Sequence, residues 1–502
     1  MLLTILALLP IVGAICVAFL KGQTAKFAGL GFALTTLVVG VLAAVTSITG
    51  TAALAISQPW IRPIGAFYAL DMMPMDAVLV LLTVILVPVV LLAEWNIDER
   101  DDIRGTAAGF FSLALLMEGL ALFVFLAGDL LLFYLAFEAT LIPIYFMIGR
   151  YGGKGRRRAA IKFLLYSLAG GLVLLVGIAG LYAQSVSQGQ PSMLIRDLGD
   201  LQMAPAVAHW LFIAVFFAFA VKAPLVGLHS WLPDTAAAAT PGTSTLLVGV
   251  LDKIGTFGII KLCLVIFPES VRWAAPVVIV WAVVSMFYGA LMALQSTDML
   301  RLVSYTSISH FGFMVVGIFA LTTQSMTGSI FYMLNHGLST AALFLVVGFL
   351  VARRGSQDIH DFGGVQKVAP VMAGFLLLSG LSALALPGMS SFVSEFLVMA
   401  GSFQQYPVHV AFLVVGMVLA ASYVLRMYKV SMTGPVTPQV EEHVSRDLSL
   451  RERAAVFPLI VLLLVLGFVP KPALEIIDEA STGFLASAGI TDPAPQLKEG
   501  GR

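Results

Sequence analysis

The sequence predicts a polytopic membrane protein built from α-helices, and two observations lead to that fold class. Of the 502 residues, 59% are hydrophobic and only 11% are charged, whereas soluble domains carry about 25% charged residues. Apolar segments long enough to cross a bilayer as helices, which takes about 20 residues, recur along the whole chain. Lys plus Arg and Asp plus Glu number 28 each, so the overall charge does not indicate a nucleic-acid partner.

About fourteen segments have the length and hydropathy of membrane-spanning helices. The segment 50–75 is too polar and too rich in proline to span, so we expect it to form a folded surface loop. The spans are predicted near residues 2–20, 28–49, 76–95, 107–127, 130–149, 159–184, 208–231, 243–267, 273–294, 300–321, 326–351, 370–404, 408–430 and 454–470.

Basic residues give the orientation of these spans, because loops rich in Lys and Arg tend to stay in the cytoplasm. They concentrate in the loops after spans one, three, five, eleven and thirteen, and the densest group is RYGGKGRRR at 150–158. Odd-numbered loops are therefore predicted on the cytoplasmic side, which leaves both termini on the outer side. Anchoring of this topology explains the cluster at 150–158 without a binding function.

Two of the spans are interrupted. In span seven Lys222 precedes Pro224, and in span twelve Pro387 and Gly388 break the helix before Glu395. Paired discontinuous helices in two halves of a chain indicate a transporter built from internal repeats. The chain then divides into residues 1–106 (helices one to three with an external loop at 50–75), 107–270 (first repeat, helices four to eight), 271–431 (second repeat, helices nine to thirteen) and 432–502 (a loop, helix fourteen and a polar tail).

Lys222 is the most informative residue, because a charge at bilayer depth costs about 2.5–3.5 kcal/mol on insertion scales. The neighbouring proline also frees backbone carbonyls that lipid cannot satisfy. Both costs on one turn indicate a site that faces protein or water, and intramembrane ionisable residues are functional candidates by default. Glu118 in span four and Glu138 in span five lie similarly deep, and either of them could pair with Lys222.

Span eight carries two further lysines. Asp252 and Lys253 are adjacent, so their side chains point about 100° apart on a helix and do not form a natural ion pair. Lys261 lies two turns beyond Lys253 and nearer the end of the span, so we expect its ammonium group to reach the membrane interface by snorkelling.

Spans ten and eleven each carry a histidine. Ser304, Ser307 and His310 recur every three residues, which predicts a hydroxyl-lined strip leading to an imidazole. Asn335 and His336 follow in span eleven. Two histidines on successive helices favour a role in proton transfer over a purely structural one.

Six of these side chains form a set that we call the relay set, each near the middle of a different helix. Desolvation disfavours the charged form of each, whereas a nearby opposite charge favours it, so a buried Glu–Lys pair can be switched by moving a third charge. Histidine can carry the released proton onward. The mixture predicts a proton path and argues against sodium, which favours carboxylates and carbonyls. The relay set comprises Glu138, Lys222, Lys253, His310, His336 and Glu395.

Four stretches resemble the antiporter-like membrane subunits of respiratory complex I, the proton-translocating NADH:quinone oxidoreductase. The resemblance covers about residues 75–430 and implies fourteen helices, two inverted five-helix repeats and one proton channel driven by quinone reduction elsewhere in the complex. It also implies that the relay set matches the family's charged residues and histidines in helices five, seven, eight, ten, eleven and twelve. The stretches read FYLAFEATLIPIYFMIGRYGG, AVKAPLVGLHSWLPD, YTSISHFGFMVVGIF and NHGLSTAALFLVVG.

The chain departs from the family pattern around helices seven and eight. Ala236 stands where the family usually has histidine, and Asp252 stands where an apolar residue is usual. The proton path is therefore expected to use water or His229 near these helices. Glu118, His229 and Ser307 are secondary candidates beside the relay set.

The leading hypothesis is a proton-translocating subunit of a respiratory complex in the bacterial inner (plasma) membrane. No cofactor or metal is expected in this subunit, and the resemblance implies NADH, FMN, iron–sulfur clusters and quinone elsewhere in the complex. It implies as partners L- and N-type antiporter-like subunits, other complex I subunits and the lipid bilayer. The alternative is the D-type subunit of a multi-subunit Na⁺/H⁺ antiporter, against which the LIPIY acid motif weighs. A scaffold that has lost pumping would lack central charges, and this chain has all six.

Overall fold

A computed structural model of the chain describes residues 1–50, 54–100, 103–444 and 446–492. Within those ranges, 10 helices are long and apolar enough to cross a membrane, or 11 if the bent pair Leu450–Phe468 and Lys471–Ser487 is one span. Shorter apolar helices accompany them at Leu2–Ala18, Pro370–Ala383 and Ser390–Phe403. The protein is therefore a polytopic helical membrane protein, as predicted, while the count of fourteen helices stays a prediction.

The N-terminal part combines three helices with a small β-hairpin. The hairpin strands pair antiparallel, with Ala55 opposite Asp71. A 3-10 turn at Arg62–Ile64 joins them and ends at Gly65, whose φ of 63° suits a residue without a side chain. Residues 55–71 of the segment predicted not to span thus fold as a hairpin. The elements are α1 (Leu2–Ala18), α2 (Gly22–Ile48), β1 (Ala55–Ile61), β2 (Ala66–Asp71) and α3 (Pro74–Ala93).

The middle of the chain holds the first broken helix and a helix distorted twice by π-turns. The π-turns are Leu247–Leu251 and Ile259–Leu264, and such turns are frequent at functional sites. The helices are α4 (Ala107–Leu126), α5 (Leu130–Ala139), α6 (Leu141–Tyr151), α7 (Arg156–Ser187), α8 (Ile195–Gly199), α9 (Pro205–Lys222), α10 (Trp231–Ala238), α11 (Pro241–Leu246) and α12 (Lys253–Gly258).

The C-terminal part begins with three long helices and contains the second broken helix. A bend of 75° separates its last two helices. The helices are α13 (Pro268–Gln295), α14 (Met299–Phe319), α15 (Thr323–Arg354), α16 (Val365–Val368), α17 (Pro370–Ala383), α18 (Ser390–Phe403), α19 (Pro407–Met432), α20 (Pro438–His443), α21 (Leu450–Phe468) and α22 (Lys471–Ser487).

Burial separates interior helices from helices on the outside of the bundle. The most apolar windows of α14 and α15 are 94% and 89% buried, whereas those of α2 and α19 are only 33% buried. Outer helices expose large apolar side chains such as Val176, Val277 and Val418, as expected for surfaces that face lipid or other membrane subunits. The two histidines of the relay set lie on α14 and α15, so they are held inside the bundle.

The first break comprises residues 223–230 between α9 and α10, and the second comprises residues 384–389 between α17 and α18. The two breaks have the same hydrogen-bond pattern. In the first, the N–H groups of residues 223, 225 and 228 donate to the carbonyls of residues 219, 220 and 225. In the second, residues 384, 386 and 389 donate to residues 380, 381 and 386, so every donor and acceptor is shifted by 161 positions (223 to 384). Gly227 and Gly388 also correspond, with φ of 92° and 93°. Lys222 precedes the first break, whereas Glu395 follows the second.

Candidate functional site

Lys222 is the last residue of α9, where the first break begins. Its side chain is buried, and Nζ has no hydrogen-bond partner among the described residues. The ammonium group lies 5.6 Å from the ring centre of Phe137 and 5.2 Å from that of Phe163, at distances typical of cation–π contacts. Two aromatic faces therefore support this charge without fixing it by a hydrogen bond.

Two acids act electrostatically on Lys222, and the stronger of them is Asp252, followed by Glu138. Glu138 is partly buried in α5, and its carboxyl group lies against Gly171 of α7. Glu118 is fully buried in α4, but it is not among the charged neighbours of Lys222. Of the two acids that the sequence left open, the electrostatics of Lys222 thus favour Glu138, and they add Asp252.

Asp252 is a functional candidate that the sequence marked only as a departure from the family pattern. Its backbone N–H donates to Leu247 O, five residues back, which closes the first π-turn. Its side chain is completely buried, and neither carboxylate oxygen has a hydrogen-bond partner within the described ranges. It acts electrostatically on both Lys222 and Lys253. As the helical geometry predicts, it forms no direct hydrogen-bonded pair with Lys253.

Lys253 is hydrogen-bonded to the next helix of the interior. Its Nζ lies 2.9 Å from Val248 O and 2.7 Å from Nδ1 of His336 on α15. It also lies 4.7 Å from the ring centre of Phe311 on α14. The carbonyl of Val248 belongs to the π-turn, so the local distortion of the helix supplies a ligand to the lysine. The predicted Lys253 and His336 are therefore in direct contact.

The two histidines continue this line toward Glu395. The ring centres of His310 and His336 lie 5.2 Å apart and nearly perpendicular. The ring of Tyr332, one turn before His336 on α15, lies 5.7 Å from that of His310. The Tyr332 hydroxyl donates a hydrogen bond to Oε1 of Glu395 on α18. From Lys253 to Glu395, each buried group thus has a hydrogen bond or ring contact to the next.

Two tyrosines in this region were not predicted from the sequence. Tyr332 bonds Glu395, and the Tyr423 hydroxyl on α19 lies 3.4 Å from Nε2 of His310. Tyr332 could have been found, because it lies four residues before His336 and therefore on the same helix face. Tyr423 follows Ser422 on an outer helix that also carries Tyr428, and nothing in its local sequence separates it from an interfacial tyrosine.

Three other predicted residues form hydrogen bonds to the nearby backbone. The hydroxyls of Ser304 and Ser307 donate to the carbonyls of Arg301 and Val303 on their own helix, as serines in helices often do. They form no hydrogen-bonded strip to His310 among the residues that the structure describes. His229 lies in the first break, where its Nδ1 accepts a hydrogen bond from Gly227 N. These contacts tie the serines and His229 to the nearby backbone.

The expectation that Lys261 snorkels to the interface is wrong. Its Nζ lies 2.9 Å from Oδ1 of Asp71 at the end of β2 and 3.0 Å from Oδ2 of Asp76 on α3. Only 4% of the residue is exposed. The hairpin and α3 bring two carboxylates to this lysine, which the spacing within span eight cannot reveal. The group therefore anchors the hairpin to the second π-turn.

A cleft of about 1010 Å³ opens beside the first break and is lined by both basic and acidic side chains. Within it, Asp234 of α10 forms ion pairs with Lys162 at 2.7 Å and with Arg301 at 2.8 Å. Lys162 also donates to the carbonyl of Ser230, the last residue of the break. No cluster of three or more His, Cys, Asp or Glu side chains in the described ranges is arranged to hold a metal ion.

The sequence model of the NADH:quinone oxidoreductase/Mrp antiporter transmembrane family matches residues 127–420, more than half of the chain. The chain belongs to this family. It is 43% identical to NADH-quinone oxidoreductase subunit M of Mycobacterium tuberculosis, with 99% of this chain and 96% of that protein covered. It is 37% identical to subunit M of Pseudomonas aeruginosa, over 83% of this chain and 82% of that protein. The predicted membership of the NADH:quinone oxidoreductase family is thus confirmed.

Solved structures of two family complexes show the same fold. A chain of respiratory complex I from Thermus thermophilus with bound NADH superposes with a TM-score of 0.87 at 28% identity, covering 97% of this chain and all (100%) of that chain. A chain of the Mrp complex from Dietzia sp. DQ12-45-1b superposes with a TM-score of 0.83 at 20% identity, covering 97% and 99%. The second likeness shows only that the family fold is shared.

Proposed function

We propose that this chain is a proton-translocating membrane-arm subunit of an NADH-quinone oxidoreductase. The relatives named NADH-quinone oxidoreductase subunit M, with 43% identity over almost the whole chain, support this assignment. The match to a chain of the Thermus thermophilus complex supports it in three dimensions. The subunit contributes to the enzyme by moving protons, while NADH, FMN, iron–sulfur clusters and quinone are bound by other subunits.

The line of hydrogen bonds and ring contacts from Lys253 to Glu395 is the observation that carries the proposed mechanism. A proton on Lys253 passes to Nδ1 of His336 along an existing hydrogen bond of 2.7 Å. His310 and Tyr332 adjoin His336, and Tyr332 is bonded to Glu395. An imidazole accepts a proton at one nitrogen and releases one from the other, so it suits this transfer. Glu395 is then the group that releases the proton beyond the second break.

The other end of the path is formed by Glu138 and Lys222. Lys222 carries the charge that the redox-driven part of the complex moves, and Glu138 is the acid that holds it at the first break. The cleft beside Asp234 supports proton uptake on this side, since it reaches the residues of the break through Lys162 and Ser230. By the distribution of basic loops, this is the cytoplasmic side.

The matching breaks support two inverted repeats of five helices at 107–270 and 271–431, within a total of fourteen helices. Three backbone hydrogen bonds and one left-handed glycine recur after the same interval. The basic loops support an orientation with both termini outside the bacterial plasma membrane. The outward apolar faces are then available to lipid and to neighbouring L- and N-type subunits.

A D-type subunit of an Na⁺/H⁺ antiporter is the second candidate. The Dietzia Mrp complex shares the fold at 20% identity, but the identity of 43% to a subunit M favours the respiratory enzyme. The genes beside this one distinguish the two candidates, because quinone- and nicotinamide-handling subunits accompany the first and small antiporter subunits the second.

The function is tested by replacing Lys222 with alanine in the assembled enzyme. The variant should lose at least about tenfold in NADH-driven proton uptake by inverted membrane vesicles, because positioned proton-transfer groups typically contribute about 10²–10⁴-fold. Coupled NADH–quinone turnover should fall with it. NADH–ferricyanide activity in the same membranes reports assembly, and Lys222→Arg tests whether a fixed charge suffices. Undiminished pumping by an assembled Lys222→Ala enzyme would rule the proposal out.

A further inference from the structure

We propose that Asp252 is a proton-relay residue that accepts the proton leaving Lys222 and passes it to Lys253. The inference rests on the proposed function of the subunit. Asp252 stands beside Lys253 in the chain and acts electrostatically on both lysines. No continuous set of hydrogen bonds joins Lys222 to Lys253 in the described part of the chain, and Asp252 is a buried acid that acts on both of them.

Backbone contacts place Asp252 against the end of α9. Gly255, three residues after Asp252 on the same face of α12, meets the residue that follows Lys222: a side-chain carbon at Gly255 would lie 2.5 Å from Ala223 N. One turn further, a side-chain carbon at Gly258 would overlap the Phe219 ring of α9. These glycines let the two helices approach closely. The helix face that carries Asp252 is therefore turned toward the end of α9, where Lys222 lies.

The preceding π-turn gives Asp252 this direction. One extra residue in the turn Leu247–Leu251 rotates the following side chains relative to a regular helix. The same turn exposes the carbonyl that holds Lys253 toward His336. The distortion thus directs Lys253 to the histidines and leaves the Asp252 carboxylate free of hydrogen bonds within the described ranges.

A buried carboxylate with neither oxygen bonded is costly. Unlike Glu118, which has no charged neighbour, Asp252 is acted on by two cations, and Glu138 supplies a second negative charge. When all four groups are ionised, two positive and two negative charges cancel. Movement of one proton from Lys222 onto Asp252 neutralises one group of each sign, so the cluster keeps its net charge during the transfer.

The transfer has three balanced steps. Lys253 first gives a proton to His336 and becomes neutral. An N–H bond of Lys222 then breaks with its electron pair left on Nζ, as an O–H bond forms on Asp252. That O–H bond breaks in turn as an N–H bond forms on Nζ of Lys253. The flexible lysine side chains bring each nitrogen to the carboxylate.

The test uses three variants of Asp252 in the assembled enzyme. Asp252→Asn keeps the shape of the side chain and removes the carboxyl group that binds and releases a proton. Asp252→Leu replaces the unpartnered polar group with an apolar side chain, which a buried site accommodates more readily. This second variant therefore keeps the test informative if Asp252→Asn fails to fold. Asp252→Glu keeps the chemistry. Asp98→Asn is the matched control, because it removes a carboxylate whose partner at 2.9 Å, Lys26, lies outside the relay set.

Turnover and proton uptake should fall at least about tenfold in Asp252→Asn and Asp252→Leu, while Asp252→Glu should keep more than about a third of normal activity. The pH profile of turnover should change in the first two variants and stay unchanged in the control. Normal pumping by either of the first two variants would overturn the inference, as would equal losses in all three. If Lys222→Ala also pumps normally, the proposed function fails; if only the Asp252 variants pump, only this inference fails.

Discussion

The two ends of the buried path differ in how their charges are held. In the segment from Lys253 to Glu395, hydrogen bonds and ring contacts link each group to the next. In the segment formed by Glu138, Lys222 and Asp252, the charged groups act on one another without a direct hydrogen bond among the described residues. We call the first the linked segment and the second the open segment.

The difference indicates where the path can be switched. We expect the linked segment to transfer protons whenever its end groups change, because its groups are already in contact. The open segment can change its electrostatic balance through small side-chain movements, since no hydrogen bond or ion pair among the described residues holds its charges. The open segment adjoins the first break, so we expect control of the cycle there and conduction in the linked segment.

The largest effect is expected from cutting the linked segment at Lys253. Lys253→Met keeps the length and apolar stem of the side chain but removes the hydrogen bond to His336. Proton uptake should fall by about 10²-fold, the lower range of a lost proton-transfer group. Vesicle acidification with NADH as the donor measures the change, and NADH–ferricyanide activity confirms assembly. A variant that pumps at more than half the normal rate would show that the linked segment is not the path.

A moderate effect is expected from moving Glu138 without changing it. Gly171→Ala places a methyl group where the Glu138 carboxyl group now lies, so the acid must shift away from its position near Lys222. Turnover should fall about three- to tenfold, since small displacements of a positioned group reduce rates strongly.

Gly31→Ala on α2 is the matched control for this variant. It adds the same methyl group to another helix at a position with no atom within 4 Å, so its activity should stay normal. If Gly171→Ala also turns over normally, the open segment tolerates displacement of its acid, and the contrast with the linked segment is lost.

The sequence was sufficient to predict the polytopic fold and the polar groups of the interior, because an ionisable residue in an apolar span is conspicuous. It also located both breaks from proline and glycine. It could not choose between Glu118 and Glu138 as the partner of Lys222, because that choice depends on how separate helices rotate. It misjudged Lys261 for the same reason, since Asp71 and Asp76 reach that lysine only through the fold.

Asp252 shows a second limit of the sequence. Adjacent residues on a regular helix point in different directions, and that argument correctly predicts no hydrogen bond between Asp252 and Lys253. It does not predict the π-turn before them, nor the close contact with α9 through Gly255 and Gly258. The functional meaning of Asp252 therefore emerged only from the arrangement of the two helices.

The smallest effect is expected at Glu118, which belongs to neither segment. Its carboxyl group is fully buried, and both oxygens lack a hydrogen-bond partner among the described residues. No charged side chain in those ranges acts on it electrostatically. Glu118→Gln should change turnover by less than about twofold, because exchange of an acid that has no charged neighbour disturbs no proton-transfer step. Glu138→Gln, made in the same way on the neighbouring helix, should impair turnover more than Glu138→Asp does. If Glu118→Gln instead matches Glu138→Gln in its loss of proton uptake, Glu118 belongs to the open segment, and Lys222 has a partner that moves toward it during the cycle.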